Sequence, residues 1–208
     1  MSRPLLVTDC DEVLLHMVCH FRDWLGAQHA IDFAMEGNDF ATALRRRDGG
    51  EVLDKEEIWR LLGSFFDTEM DSQLPIAGAL EALAEIGRHA DVVVLTNLPD
   101  ACHAARTAQL RKLGVDVPVF TNQGPKGAAL QRIVADHGAT RAVFIDDIAS
   151  HHRSAAIETP AVRRLHLCGE PLLAPHIDCA LAAGHAHARI DTWDEALPWV
   201  LAALNEEN

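Results

Sequence analysis

The feature that most constrains this chain is a recurring alternation. Short apolar runs rich in β-branched residues, Leu5 to Thr8, Val92 to Thr96, Val117 to Phe120, Ala142 to Ile145 and Arg164 to Leu167, read as strands. Between them, Ala79 to His89, Ala101 to Leu113 and Lys126 to His137 carry apolar residues at three- and four-residue spacing, with Gly114 and Gly138 as helix stops. Near-continuous apolar strands alternating with amphipathic helices are what a parallel sheet buried on both faces requires. The expectation is an α/β, Rossmann-like parallel sheet with helices on both faces.

One interval breaks this rhythm. The first strand ends at Asp9 and the next clear strand starts only at Val92, far beyond a crossover of one helix. Val18 to Ala30, Asp39 to Arg47 and Lys55 to Phe66 read as helical pieces around Asp48-Gly49-Gly50, without strand-like alternation. Residues 16–74 are therefore expected to form a small α-helical cap inserted into a core of residues 1–15 and 75–208, the return marked by Pro75 to Gly78. Towards the end, Ala188 to Ile190 offers an edge strand before a helix from Asp191 or Thr192 to Leu204.

Composition narrows the function classes. With 49% hydrophobic and 24% charged residues over 208 positions, the chain can bury a real core and is poorly suited to disorder. A formal charge of −13 repels nucleic-acid backbones and anionic membrane surfaces, so neither is expected as a partner. No apolar stretch approaches a membrane span, and the five cysteines include no CxxC pair. A reduced, cytoplasmic setting is expected.

In an open parallel sheet, ligands bind beyond the carboxyl ends of the strands. There the sequence places Asp9-Cys10-Asp11-Glu12-Val13 after the first strand, Thr96-Asn97 after the second, and Asp146-Asp147 after the fourth, while Lys126 opens a helix after the third. Asp9 and Asp11, two apart at a strand end, can project to the same side and divide two roles. Alone they would read as turn carboxylates, and Asp146 and Asp147 as caps of a helix from Ile148. Their conjunction in this order, each after a strand or at a helix start, favours chemistry.

The four motifs, in the form DxDxV, an apolar strand ending in Thr, a lone Lys and an apolar strand ending in Asp-Asp, resemble those of the haloacid dehalogenase superfamily. The resemblance spans nearly the whole chain, and the insertion after the first motif is where that superfamily places a helical cap. It implies a phosphatase with Asp9 as nucleophile, forming an aspartyl-phosphate, and Asp11 as the general acid and base. It implies Mg²⁺ held by Asp9, the backbone carbonyl of Asp11 and Asp146, with Asp147 a ligand through water or an outer partner. Thr96, the Asn97 backbone N–H and Lys126 would meet the phosphoryl oxygens. Only three lysines occur, Lys55, Lys112 and Lys126, and the last sits in the turn Gln123-Gly-Pro-Lys126-Gly.

The expected partner is a small phosphorylated metabolite, with the oligomeric state open. A phosphomutase would keep the same catalytic residues, and a phospholigand-binding module is the reading outside enzymes. Asp11 argues against a carbon–halogen hydrolase, and Lys55 beside Glu56 and Glu57 looks solvated rather than imine-forming. His16 and His20, four apart and leading into the cap, are candidate substrate contacts. Arg45-Arg46-Arg47 reads first as a solvated face, the histidines at 151, 152 and 166 as hydrogen-bonded groups rather than zinc ligands, and Cys10 as pointing away from the two aspartates.

Overall fold

The computed structural model describes residues 3–35 and 40–206. Six strands, β1 (Leu5–Thr8), β4 (Asp91–Thr96), β5 (Val119–Thr121), β6 (Ala142–Asp146), β7 (Arg163–His166) and β8 (Ala188–Arg189), form one sheet in the order β5-β4-β1-β6-β7-β8, every pairing parallel. Side chains alternate across it. Leu6, Val92, Val94, Val143 and Ile145 face α3 (Ala79–Ile86) and α7 (Trp193–Asn205), while Leu5, Val7, Val93, Leu95 and Phe144 face α5 (Gly127–His137) and α6 (Ala149–Glu158). Both faces are thus dry, which is why the strands read as unbroken apolar runs. A further helix, α4 (His103–Lys112), joins β4 to β5.

The third strand starts two residues later than its apolar run predicts. Pro118 has no N–H for the ladder, so only its carbonyl takes part, accepting from Val94 N at 2.9 Å. The expected strand at 164–167 is registered one residue earlier, at Arg163–His166.

The inserted segment departs further from expectation. It holds α1 (Val18–Trp24), continued by a π-turn at Leu25–His29, then β2 (Ile31–Phe33), β3 (Leu44–Arg46) and α2 (Lys55–Glu69). β2 and β3 pair antiparallel, Ile31 opposite Arg46 and Phe33 opposite Leu44. The helix expected over Asp39 to Arg47 is therefore a short 3₁₀ turn at Phe40–Ala43 followed by a strand, with Asp39 outside the described residues; the insertion is not purely helical. Three residues per strand are too few to display a two-residue period, and the pairing partner is remote in sequence, so propensity yields to tertiary context. α2 forms as predicted: the Asp54 carboxylate accepts from Glu57 N at 2.8 Å, and Ile58, Leu61, Phe65 and Phe66 supply its buried stripe.

These residues build a separate apolar cluster with Phe21, Leu25, Leu44 and Leu98. Within it Phe65 meets Phe21 and Phe66 edge to face at 5.3 and 5.6 Å, so most insertion aromatics are core. The arginine run is engaged in ion pairs, Arg46 with Glu57 at 2.6 Å and Arg47 with Asp32 at 2.7 Å. No helix among the described residues is long and apolar enough to cross a membrane.

One close approach fixes the helix that begins at Gly127. Its N–H donates to Ser154 Oγ at 3.0 Å, and a Cβ there would stand 2.5 Å from the Ser154 carbonyl oxygen. Gly127→Ala should lower stability by about 1–3 kcal/mol by forcing α5 and α6 apart. Urea denaturation checks this, and an unchanged midpoint would contradict the packing.

Candidate active site

β1 lies between β4 and β6, so the segments leaving these three strands converge at one edge of the sheet. Asp9 follows β1 directly, and its N–H donates to Ile145 O at 2.9 Å, continuing the ladder one residue past the strand. Its Oδ1 accepts from Cys10 N at 2.7 Å, and its Oδ2 meets Lys126 Nζ at 2.7 Å. The same ammonium reaches Asp146 Oδ2 at 2.7 Å. Lys126 is completely buried, as is Asp146, and Asp9 is nearly so.

The lysine is aimed by the turn before α5. Asn97 and Asn122 both donate through Nδ2 to Gly124 O, at 2.9 and 3.0 Å, and Asn122 Nδ2 also donates to Asn97 Oδ1 at 2.9 Å. This amide ladder ties the end of β4 to the loop that delivers Lys126. Asn97 is exposed, while Thr96 is fully buried with a hydroxyl that has no hydrogen-bond partner among the described residues. A buried hydroxyl without a partner is a donor waiting for an acceptor.

Electrostatics set the acids apart. Burial raises Asp9 to about 6, Asp146 and Asp11 pushing the same way and Lys126 opposing. Burial also disfavours the charged form of Asp146, but Lys126 and then His151 outweigh it and hold its carboxyl below the ordinary range. For Lys126, burial is outweighed by Asp146 and Asp9, which keep it firmly charged. Asp147 is pushed well up by burial and then by Asp146 and Asp9, and its carboxylate accepts no hydrogen bond from a described residue.

The histidines expected to be hydrogen-bonded groups are so engaged, and further residues join them. His151 Nδ1 lies 3.0 Å from Asp146 Oδ1, and its Nε2 accepts from Asn97 Nδ2 at 3.2 Å, so Nδ1 carries the proton in this network. His152 Nε2 donates to Asp146 O at 2.9 Å and His166 Nε2 to Asp147 O at 2.7 Å. These three are hydrogen-bonded supports beneath the acidic pair. Asp11 faces away from Lys126, its two oxygens 2.9 and 3.0 Å from Arg106 Nη2. Arg106 is fully buried with Gln109 and Leu110 on one stripe of α4, and polar residues at helical spacing gave no sign in the sequence that this face is buried. Cys10 does not turn away from both acids as expected: its Sγ accepts at 3.3 Å from Nη1 of the guanidinium that holds Asp11, and burial pushes its thiol up to about 12.

Glu12 is the least expected. It adopts φ 60°, a left-handed backbone costly for a residue with a side chain. Its Oε1 accepts from Met17 N and Val18 N at 3.1 and 2.6 Å, satisfying the exposed amides at the start of α1, and its carbonyl accepts from Gly169 N at 2.6 Å. Oε2 is buried and unpaired. His16 precedes α1 rather than lying on it, so the two histidines do not share a helical face. Its Nδ1 meets Glu170 Oε2 at 2.8 Å and its N–H donates to Leu74 O at 2.9 Å, while His20 is lowered by burial and by His16.

No protein-family model and no curated protein matches the sequence. Solved structures do match. A conserved haloacid dehalogenase-like protein from Agrobacterium tumefaciens superposes with a TM-score of 0.70 at 17% identity, over 97% of this chain and 99% of that one. A haloacid dehalogenase family hydrolase from Deinococcus radiodurans, with bound phosphate and sodium, gives 0.67 at 15% identity, over 96% of each. A haloacid dehalogenase-like hydrolase family protein from Streptococcus pneumoniae gives 0.65 at 11%, over 94% and 97%. The chain has the haloacid dehalogenase-like fold.

Burial raises Glu12 from 4.5 to about 8, with Asp11 and Glu170 adding to it against the Val18 and Met17 amides. The folded state then holds a proton that the unfolded chain has lost, so stability is full below the lower value and falls as pH rises through the upper one. Urea midpoints at about pH 5 and about pH 9 should differ less for Glu12→Gln than for the wild type. Equal slopes would show that Glu12 ionises normally.

Proposed function

We propose that this chain is a haloacid dehalogenase-type phosphatase that hydrolyses a small phosphomonoester in the cytoplasm through an aspartyl-phosphate on Asp9. The observation that carries the reading is the buried Asp9–Lys126–Asp146 cluster, at the edge where β1, β4 and β6 converge, with the buried Thr96 hydroxyl, unpaired among the described residues, at the end of β4.

The donor set suits a hard divalent cation. Asp9 and Asp146 offer carboxylate oxygens within 4.8 Å of each other and of a His151 ring nitrogen, Asp147 lies near enough to feel both charges, and Lys126 is the one lysine or arginine among the described residues paired with any of these acids. Asp147, raised and without a hydrogen bond, is a carboxylate that a cation would relieve. Both Asp146 oxygens already have partners, Lys126 on Oδ2 and Ile148 N and His151 on Oδ1. Both Asp9 oxygens are engaged as well, by Cys10 N and Lys126, so these contacts do not set Asp146 aside; we assign the metal to Asp9, Asp146 and the backbone carbonyl of Asp11, with Asp147, whose carboxylate meets no described donor, as a further ligand. A Mg²⁺ ion there supplies positive charge that offsets the acids and the phosphoryl oxygens.

The chain's own residues then divide the work. The Asp9 oxygen attacks phosphorus, held in line by the Cys10 amide on its other oxygen. Lys126 and the Thr96 hydroxyl stabilise charge on the phosphoryl oxygens. Asp11 protonates the departing oxygen and then takes a proton from the water that releases phosphate. Residues 16–74 act as the lid over this site, with 1–15 and 75–208 as the catalytic core, and His16 and His20 stand at its border.

Phosphate release from 4-nitrophenyl phosphate and a panel of metabolite phosphomonoesters, with Mg²⁺ or chelator, tests the reading. Release should require the metal and fall at least about a thousandfold in Asp9→Asn, which removes the attacking charge at constant shape. Full activity in that variant would sink the mechanism.

A further inference from the structure

Arg106 is fully buried yet carries a guanidinium, and burying an arginine is costly unless its charge is met. One nitrogen, Nη2, spans both oxygens of Asp11 at 2.9 and 3.0 Å. The other, Nη1, donates to Gln109 Oε1 at 3.0 Å. Gln109 Nε2 in turn reaches Met70 O and Gln73 Oε1, the latter at 3.4 Å, and Gln73 Nε2 returns to Asp11 Oδ1 at 3.1 Å. The guanidinium also stands 5.8 Å from the ring centroid of Phe66 on α2. The result is a closed polar ring joining the loop after β1, α4 and the segment that returns from the insertion.

We propose that Arg106 is a positioning residue for Asp11: with Gln109 and Gln73 it sets the direction in which the acid–base carboxyl meets the leaving group. Asp11 Oδ1 is fixed by two donors, while Oδ2 has the arginine alone, and the side chain keeps 17% of its surface exposed. The carboxyl is thus steered through one oxygen and left open at the other. Because Phe66 and Gln73 lie in the inserted segment, its seating and the aim of Asp11 depend on the same contacts. The inference rests on the phosphatase reading and deepens it.

The step concerned is the first: the Asp9 oxygen–phosphorus bond forms, the phosphorus–leaving-group bond breaks, and the Asp11 proton passes to the departing oxygen. Its signature is leaving-group dependence, since a poor leaving group needs the proton and a good one does not. kcat/KM should be measured for phenyl phosphate and 4-nitrophenyl phosphate, which differ little in shape, in wild type, Arg106→Met and Arg106→Lys. Arg106→Met should lose about tenfold or more on phenyl phosphate relative to 4-nitrophenyl phosphate, with part of that recovered in Arg106→Lys. Equal losses on both substrates would reduce Arg106 to a structural role and overturn the proposal, as would no loss on either. Gln73→Met, which removes the second donor to Asp11 Oδ1, should give a smaller split of the same sign should Arg106→Met fail to fold. If the wild type releases no phosphate, the phosphatase reading is what fails. Crystal structures of Arg106→Met and Gln73→Met then decide the positioning: a displaced Asp11 carboxyl supports it and an unmoved one overturns it.

Discussion

An ammonium group stripped of water is tolerable only with close anionic partners, and Lys126 has two at 2.7 Å. Much of the surrounding architecture serves that contact. β1 and β6 must be adjacent and parallel for Asp9 and Asp146 to emerge side by side, and α5 must start close against α6 for the lysine to enter from between them. The Gly127 contact with Ser154 and the amide ladder through Asn97 and Asn122 are the local means. The arrangement is self-consistent but not neutral. Burial, with a surplus of negative charge from the neighbouring acids, raises Asp9 and Asp147, and that surplus makes the site receptive to a cation.

The two aspartates that follow β1 have different company. Asp9 shares its cation with another acid, whereas Asp11 is met by a guanidinium of its own. A pair of carboxylates two residues apart is thus divided by environment into an anion aimed at the buried cluster and one aimed at the mouth. Glu12 completes the loop by accepting the left-handed turn and capping α1, so the backbone that presents the acids also fixes where the insertion departs.

The core was legible because its signals are local and repeated. Five of the six sheet strands announced themselves as apolar runs, and the polar residues at their ends, Asp9, Thr96 and Asp146, stand where the strand-end argument placed them. The β2–β3 ribbon was not legible, since each strand is three residues long and its pairing joins residues 31–33 to 44–46 across an intervening loop. Arg106 and Gln73 escaped for a related reason. Their shared partner, Asp11, lies 95 and 62 positions away, beyond the reach of a spacing argument. The relative standing of Asp146 and Asp147 also needed coordinates, because neighbours of one residue type are told apart by hydrogen bonds alone.

The sheet itself ends abruptly on both sides. β5 offers three residues preceded by Pro118, and β8 only two, so neither margin presents a long row of free amides and carbonyls. Edge strands of this kind are poor templates for another chain. The molecule therefore keeps its most regular hydrogen-bonding surface in the interior, and the tendency of open sheets to grow into aggregates is curbed by the brevity of its borders.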